Sequence, residues 1–406
     1  MAKRRVLYFS IGTFAPTAYA LGGNIYGKNL VQRLSEDDGI ELFVVNANAE
    51  ANQQGTEEFF KQLGVELLYV PINPIGPATL KLERQTFFGA LDLVAKIAFR
   101  FPYELEAHNQ LHIAQAASWA IGHWGADCVL FDYLPAVLFW RRVEQIPVPK
   151  FVVTVNREAD LYADMLAVDN SPHSRWIGRI SRWRLARLER RIHSTFDKTI
   201  AIGAPDVPSY LPAGRTAVVT SYLDESPELW RYQGNKTLFF VGNVGHYPNR
   251  LAINYIVSKL APKVLARVPD AKFVIIGASP DQVSVEYHNP SVDLMGPSTP
   301  AEVERLFKTA SLFLCPVENT FGMKFKVAEA ASYGTPFLAS EQTMLGFPYF
   351  GDFPCLHLDD PDRSADTIAG LLRSATGLKA LSDDVLTRQR NFAASQKNIW
   401  SRTLFG

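Results

Sequence analysis

The chain has 406 residues, which exceeds the usual size of a single hydrophobic core and predicts two domains. Hydrophobic residues make up 47% and charged residues 20%, the balance of an ordinary globular protein. The 41 basic and 41 acidic side chains cancel, so the overall charge gives no reason to expect a nucleic acid as partner.

The cysteines and the N-terminal residues give information on where in the cell the protein is located. Three cysteines lie far apart, and two of them, Cys128 and Cys315, fall in apolar, strand-like runs. This pattern is typical of reduced thiols and does not indicate a disulfide framework or a zinc site. The first apolar run, 6–10, is too short for the core of a secretory signal, and no apolar stretch reaches the length of a transmembrane helix. The sequence therefore favours a cytoplasmic location.

Short apolar runs alternate with helical patterns along the whole chain. Several runs are apolar on both faces and are bounded by Gly, Pro or Asp, which indicates parallel strands covered by helices on both sides. Two successive sets predict an α/β protein with two doubly wound domains. The predicted strands are 6–10, 41–45, 66–69, 128–131, 151–155, 199–202 and 217–220 in the first set, and 237–241, 273–276, 292–294, 312–316, 336–339 and 355–358 in the second.

The polar, turn-forming segment 222–233 separates the two sets and is the expected domain boundary. Within the first set, residues 72–77 are rich in proline and glycine and indicate a loop. Residues 84–124 have a largely helical pattern.

The most informative segment follows the apolar run 312–316. It contains Gly322, Lys324, Lys326 and Glu329, and a run of small residues at 328–333 predicts a helix beside them. Backbone N–H groups at a helix start attract anions, and two ammonium groups next to them favour a phosphate or diphosphate. The carboxylate of Glu329 can accept hydrogen bonds from two neighbouring hydroxyls, such as those of a ribose. The combination suits a nucleotide sugar, although a solvated helix start with surface lysines would give the same pattern.

Other candidate residues follow the predicted strands directly, because ligands of open α/β sheets bind beyond the carboxyl ends of the strands. Two of these segments have a simpler interpretation: Gly22 and Gly23 would also suit a plain tight turn, and 156–160 a solvated loop. The candidates are Gly22, Gly23, Asn156, Arg157, Glu158 and Asp160 in the first set of elements, and Gly242, Asn243, Gly277 and Met295 in the second.

A basic segment lies between Arg175 and Arg191, where seven arginines alternate with tryptophan and aliphatic residues. A partly solvated helix would explain this pattern. The functional alternatives are peripheral attachment to the anionic inner face of a membrane, or contact with an acidic acceptor.

Taken in order, these segments resemble the loops of GT-B glycosyltransferases, in particular the large retaining family 4, also called glycosyl transferases group 1. The similarity extends over nearly the whole chain and keeps the family's order. The segments that carry it are Gly22-Gly23-Asn24, 240–243 with Tyr247-Pro248-Asn249, 271–277, 294–296, 306–310 and 322–330.

The resemblance implies an α/β fold of two facing Rossmann-like domains. Residues 1–223 would bind the acceptor, residues 224–385 the donor, and the final helix, within 386–406, would pack back on the first domain. The implied activity is transfer of a sugar, with retention of configuration, from a UDP- or GDP-linked donor to a sugar or lipid-linked acceptor. Glycan, polysaccharide or glycolipid biosynthesis is the implied setting.

The resemblance also assigns roles to residues. Lys324 and Lys326 would stabilise charge on the departing diphosphate, and Glu329 would bind the ribose. Since the lysines take the part that metal ions play in other transferases, we expect activity without a metal or another cofactor. The remaining donor contacts would come from Gly22, Gly23, Gly242, Asn243, Gly277, Met295, Gly322 and Met323, and the acceptor or sugar contacts from Asn156 and Glu158.

The chain departs from the family pattern at two places. Phe321 stands where many members carry a first glutamate, and no histidine follows the fifth predicted strand. Two alternatives therefore stay open: a nucleotide-sugar hydrolase or epimerase of the same fold, and a degenerate, non-catalytic partner subunit.

Overall fold

The computed structural model describes residues 2–14, 22–71, 107–132, 143, 145–155, 157, 159–160, 172–283, 289–318 and 322–406. Within these ranges the chain forms two β-sheets with only parallel pairing, and helices connect the strands. The predicted loop at 72–77 and the first part of the predicted helical segment, up to residue 106, lie outside the described residues.

The first sheet has seven strands in the order β3-β2-β1-β4-β5-β6-β7. Its strand β1 is buried on both faces, with Leu7 and Tyr8 both fully covered. This explains why the sequence shows continuous apolar runs rather than alternation. The strands are β1 (Arg4–Ser10), β2 (Ile40–Asn48), β3 (Glu66–Pro71), β4 (Cys128–Phe131), β5 (Lys150–Thr154), β6 (Lys198–Ala201) and β7 (Thr216–Val218).

The second sheet has six strands in the order β10-β9-β8-β11-β12-β13. In each sheet the chain first adds strands on one side of its first strand and then continues on the other side. Such a reversal leaves a crevice at the carboxyl ends of the strands. The strands are β8 (Thr237–Val241), β9 (Lys272–Ile276), β10 (Val292–Gly296), β11 (Leu312–Cys315), β12 (Phe337–Ser340) and β13 (Cys355–Leu356).

Helices cover the two sheets. A π-helical turn, Ile256–Leu260, joins α5 to α6, and short 3-10 turns occur at Glu50–Asn52, Ala204–Asp206, Ala213–Arg215, Pro280–Gln282 and Pro348–Phe350. The described α-helices are α1 (Gly22–Ser35), α2 (Gln53–Gln62), α3 (Ala107–Trp124), α4 (Pro172–Thr195), α5 (Tyr247–Tyr255), α6 (Ala261–Arg267), α7 (Pro300–Thr309), α8 (Phe325–Tyr333), α9 (Glu341–Met344), α10 (Pro361–Leu372), α11 (Ala375–Ser395) and α12 (Ile399–Phe405).

All thirteen predicted strands are present, and their ends differ from the prediction by at most three residues. The start of α8 differs more consequentially. The small-residue run predicted a helix from residue 328, whereas α8 begins at Phe325. Phe325 and Val327 are buried, and the Val327 N–H donates to the carbonyl of Lys324 at 2.7 Å. Core packing therefore starts the helix one turn earlier and places Lys326 and Glu329 within it.

The C-terminal helix α12 returns to the first sheet's side of the molecule. The backbone N–H of Ser401 donates to Asp37 Oδ2 at 2.9 Å, and Lys198 Nζ donates to the carbonyl of Thr403 at 3.0 Å. Trp400, at 4% exposure, is part of the core. The expected final helix is therefore confirmed.

Residues 219–236, between the two sheets, contain no helix or strand. The carbonyl of Tyr222 in this segment accepts a hydrogen bond from Asn29 Nδ2 at 2.7 Å, which ties the segment to α1. Among the helices of the described ranges, none is long and apolar enough to cross a membrane.

Candidate donor-binding site

Lys324 lies at the junction between the loop after β11 and helix α8. It is the residue immediately before the helix, and its Nζ donates to the carbonyl of Gly322 at 2.7 Å. This contact folds the lysine back over the loop. Its ammonium group therefore lies near the first backbone N–H groups of the helix, which are unsatisfied donors.

Lys326 reaches from α8 to the loop after β8. Its Nζ donates to Asn249 Oδ1 at 2.8 Å and lies 4.3 Å from the ring centroid of Phe240. The hydrogen bond and the cation–π contact together fix the position of the charge. A Cβ atom on Gly242 would lie only 2.7 Å from this Nζ, so a larger residue there would displace the lysine.

Both lysines are half-buried, so their charge is partly removed from water. Burial lowers the pKa of Lys324 to about 8 and the pKa of Lys326 to about 8. For Lys324, repulsion from Lys326 acts in the same direction, and the carboxylate of Asp206 opposes it. Two partly desolvated ammonium groups of this kind are most stable when an anion lies between or beside them.

Glu329 lies one helical turn beyond Lys326. Burial raises the pKa of its carboxyl group to about 7, and the nearby charge of Lys326 acts in the opposite direction. The carboxyl group is therefore poised between its neutral and ionised forms near neutral pH. A ligand that donates hydrogen bonds to it would favour the ionised form.

The loops after β8, β9 and β10 meet at the same edge of the sheet. Gly277 has a φ of +96°, and a Cβ there would lie 2.4 Å from the carbonyl oxygen of Gly242. The Val244 N–H donates to the Gly277 carbonyl at 2.9 Å, and the Gly277 N–H donates to the Gly296 carbonyl at 2.7 Å. Glycine thus allows the two loops to pack backbone against backbone.

This packing brings the predicted donor residues of the second sheet together. Asn243 accepts a hydrogen bond from Asn249 Nδ2 through its carbonyl at 3.0 Å, and so supports the partner of Lys326. Met295 is 38% exposed at the end of β10, whereas Met323 is buried beside Lys324. Met323 therefore packs in the core and is less accessible than the sequence prediction implied.

Asp206 is a site residue that sequence reasoning missed. It belongs to the 3-10 turn after β6, is 1% exposed, and its Oδ1 accepts a hydrogen bond from the Gly322 N–H at 2.8 Å. An acidic group of the first half of the chain thus contacts the donor loop. The sequence carried no signal for it, because an aspartate beside a proline is typical of any turn.

A polar group lies on the first sheet at the carboxyl ends of β1 and β4. Ser10 Oγ donates to Asp132 Oδ2 at 3.0 Å, and the negative charge of Asp132 contributes, after burial, to raising the pKa of Tyr8 and of Tyr26. Tyr26 also contacts Phe325 at the start of α8, with ring centroids 5.9 Å apart. Sequence reasoning missed Asp132, although its position directly after a buried strand was a usable signal.

The predicted acceptor-side residues are described only in part. Gly22 and Gly23 form the first turn of α1, so they belong to a helix start and not to a free loop. Arg157 pairs with Asp160 at 2.5 Å. Asn156, Glu158 and Phe321 lie outside the described residues, and the roles proposed for Asn156 and Glu158 remain predictions.

Within the part of the chain that the structure describes, no group of His, Cys, Asp and Glu side chains could hold a metal ion. The sequence contains an Asp-x-Asp spacing at Asp360-Pro361-Asp362. Asp360 accepts a hydrogen bond from the Arg363 N–H at 3.0 Å and caps α10, while Asp362 pairs with Lys263 at 2.6 Å. Both carboxylates thus have structural partners.

Comparison with known proteins matches part of the chain to a family. Residues 235–374 match the family Glycosyl transferases group 1. They contain the second sheet and helix α8, which carries Lys326 and Glu329. No curated protein sequence matches the chain.

Solved structures match the chain over nearly its full length. Sucrose-phosphate synthase from Thermosynechococcus elongatus has a TM-score of 0.65 at 13% identity and covers 99% of both chains. A TarM variant from S. aureus, crystallised with fondaparinux, alpha-GlcNAc-glycerol and UDP, has a TM-score of 0.61 at 9% identity, covering 99% of this chain and 100% of that one. The α,α-trehalose-phosphate synthase (UDP-forming) from Burkholderia xenovorans gives 0.61 at 12% identity, with the same coverage.

The fold and the site together define the class of protein. The chain has the α/β GT-B fold that the sequence predicted, with two Rossmann-like units. The predicted resemblance to glycosyl transferases group 1 is confirmed, and the family match on the second unit supports glycosyl transfer as the activity.

Proposed function

We propose that the protein is a retaining glycosyltransferase that uses a UDP- or GDP-linked sugar as donor. The donor would bind at Lys324, Lys326 and Glu329, and the first domain would hold a sugar or lipid-linked acceptor. The observation that carries this proposal is the pair of half-buried ammonium groups, each with a pKa lowered to about 8, one turn from a half-buried carboxyl group. Such a set matches a diphosphate linked to a ribose.

The two lysines would act on the leaving group. As the bond between the anomeric carbon and the diphosphate oxygen breaks, negative charge develops on the diphosphate. Lys324, Lys326 and the N–H groups at the start of α8 would stabilise that charge. The new bond to the acceptor oxygen forms on the same face of the sugar, and the acceptor's proton passes to the departing diphosphate. Configuration is then retained, and we propose that no metal ion is needed.

Glu329 would fix the nucleoside. Its ionised carboxylate has two oxygens, each able to accept a hydrogen bond from one ribose hydroxyl. Lys326 favours this ionised form, so diphosphate and ribose recognition are coupled through one helical turn. The proposed biosynthetic setting, glycan, polysaccharide or glycolipid synthesis, follows from the family resemblance.

A screen of nucleotides and nucleotide sugars by thermal shift, followed by a donor-turnover assay, tests the proposal. UDP, GDP, UDP-glucose and GDP-mannose are suitable probes. We expect stabilisation by one nucleotide and its sugar, and slow nucleotide release that continues in the presence of a chelator. Stabilisation without any release, even with acceptors added, would favour the non-catalytic partner subunit. Release that never leads to transfer would favour a hydrolase or epimerase.

We further propose that the arginine-rich helix α4 contacts an anionic membrane surface at the inner face of the membrane. Trp183 on this helix is 61% exposed, and Arg187 lies over its ring at 5.7 Å. An exposed tryptophan flanked by arginines is typical of an interfacial helix. Vesicles rich in phosphatidylserine should retain the protein, and Trp183→Ala with Arg187→Ala should release it. Equal retention by neutral vesicles would contradict the electrostatic contact.

A further inference from the structure

A cavity of about 190 Å³ lies in the first domain, and no residue of helix α8 lines it. Its walls come from helix α4, the loop after β5 and the loop after β6. Both loops leave the carboxyl edge of the first sheet, where ligands of α/β sheets bind. Three observations indicate that the cavity binds a ligand. Its lining contains a buried histidine and more arginines than carboxylates, and the cavity is large enough for a small anion.

His193 lines this cavity, and one of its ring nitrogens is unpartnered. The residue is 2% exposed, and its Nδ1 lies 2.7 Å from the hydroxyl oxygen of Tyr210. The other ring nitrogen, Nε2, is buried and has no hydrogen-bond partner among the described residues. A buried polar atom without a partner is unfavourable unless a ligand or a water supplies one.

The tautomer of His193 determines what Nε2 can bind. Burial, assisted by repulsion from Arg215, lowers the pKa of His193 to about 4, so the ring is neutral at physiological pH. Burial raises the pKa of Tyr210, so its hydroxyl keeps its proton. When that hydroxyl donates to Nδ1, the ring proton lies on Nε2. Nε2 is then a donor in need of an acceptor.

The charged lining favours an anion as that acceptor. Arg157, Arg182 and Arg190 line the cavity together with two carboxylates, Asp160 and Glu189, which leaves one positive charge in excess. Guanidinium groups bind the oxygens of phosphates and carboxylates in pairs.

The arginines are held in place around the opening. Arg157 and Arg182 both contact Asp160, at 2.5 Å and 3.2 Å, and Arg190 lies 5.1 Å from the ring centroid of Tyr210. The space exceeds what a single water needs and is sufficient for a phosphate or carboxylate group.

We infer that this cavity binds an oxyanion, a phosphate or a carboxylate, carried by the acceptor, with His193 Nε2–H donating to it and Arg190 supplying charge. The inference rests on the proposed glycosyltransferase function, since it specifies the chemical class of the acceptor. It assigns contact with an acidic acceptor to the face of α4 that lines the cavity, whereas the membrane contact proposed above uses Trp183 and Arg187, which do not line it.

The test measures binding of inorganic phosphate, glucose 1-phosphate and glucuronate by calorimetry. We expect saturable binding of at least one, weakened roughly 10-fold by His193→Phe and by Arg190→Ala, because each removes one hydrogen bond to a charged group. Arg179→Ala is the matched control: it removes an exposed arginine of the same helix that does not line the cavity. Arg190 is exposed, so its replacement keeps the test valid if His193→Phe does not fold.

A second readout follows His193 directly. The ¹⁵N resonance of Nε2 should shift when the oxyanion binds and should not shift when UDP binds. Absence of saturable binding, or equal affinity in wild type, His193→Phe and Arg190→Ala, would overturn the inference. Binding only to vesicles that contain phosphatidic acid, unchanged by these variants, would assign the anion to the helix surface and would also overturn it.

UDP binding measured on the same samples separates this inference from the proposed function. Loss of the oxyanion site with intact UDP binding refutes the acceptor inference alone. Oxyanion binding without any nucleotide binding refutes the donor site alone.

Discussion

Asp206 accepts a hydrogen bond from the backbone N–H of Gly322, with a distance of 2.8 Å, although the two residues are 116 positions apart and adjoin different sheets. Gly322 lies two residues before Lys324, and we propose that its N–H binds a diphosphate oxygen of the donor. In the ligand-free protein the Asp206 carboxylate occupies this N–H and would have to leave it when the nucleotide binds.

Replacing Asp206 by asparagine should tighten nucleotide binding. The amide oxygen of Asn can still accept from Gly322, while the charge that repels a diphosphate is gone. We expect the affinity for UDP or GDP to rise by a few-fold to about 10-fold, or roughly 1 kcal/mol. Calorimetry measures this, with Asp270→Asn as control, since Asp270 is an exposed partner of Lys236. Weaker binding by Asp206→Asn would mean that Asp206 assists the site.

Glu329→Gln should separate ribose recognition from diphosphate recognition. The amide offers one acceptor oxygen where the carboxylate offers two, and it carries no charge to strengthen the contacts. Affinity for the nucleoside diphosphate should fall about 10-fold, whereas affinity for inorganic diphosphate should stay the same or rise. An equal loss for both ligands would show that Glu329 acts only through Lys326.

Nucleotide affinity should depend on pH in two directions. Above about pH 8 the lysines lose the protons that attract the diphosphate, so affinity should fall as pH rises. Below about pH 7 Glu329 becomes protonated, so ribose binding weakens. The Glu329→Gln variant should lose the fall in nucleotide affinity at low pH that Glu329 causes, and it should keep the fall in affinity at high pH. A flat profile between pH 6 and 9 would contradict the assignment of these groups. One pH unit changes the ratio of protonated to deprotonated side chains about tenfold.

The stability of the ligand-free protein should show the opposite trend in the alkaline range. The lysine pKa values are lower in the folded protein than in the unfolded chain, so between about pH 8 and 10.5 the unfolded state binds more protons. Stability therefore gains a contribution that grows with rising pH in this window. For Glu329 the folded pKa is raised, so its contribution is present at low pH and is lost as pH rises through about 7. Urea unfolding across pH, with Lys326→Met as comparison, measures the lysine contribution.

The stereochemistry of transfer tests the proposed mechanism. An α-linked donor should give an α-linked product, because the leaving diphosphate accepts the acceptor's proton on the same face. Proton NMR of fresh product distinguishes the anomers through their coupling constants. A β-linked product would require a general base on the opposite face, and Asp132, at the carboxyl end of β4, would then be a candidate.

Much of the fold follows from local sequence. Strands such as Cys128–Phe131 and Thr237–Val241 have the predicted ends because their apolar runs stop at polar or glycine residues. The start of α8 was predicted too late, since the small residues from Ala328 suggested the helix but burial of Phe325 decides where it begins. Packing against the rest of the molecule overrode the local pattern there.

The site could be predicted only where its residues are close in sequence. Lys324, Lys326 and Glu329 share one helix start, so their spacing indicated their chemistry. The partners that fix them could not be predicted, because Asn249 and Asp206 are distant in the chain and reach the site only through the fold. The pairing of His193 with Tyr210 depends likewise on the packing of α4 against a later loop.

Calorimetry of Lys326→Met tests whether the two lysines at the start of α8 bind the diphosphate of a nucleotide. Methionine keeps the length of the half-buried side chain and removes its charge, so the variant should unfold at the same temperature or higher. We expect wild type to bind UDP or GDP, and the folded variant to bind it at least about 10-fold more weakly. A folded Lys326→Met variant that binds the nucleotide as tightly as wild type would refute this role of the lysines.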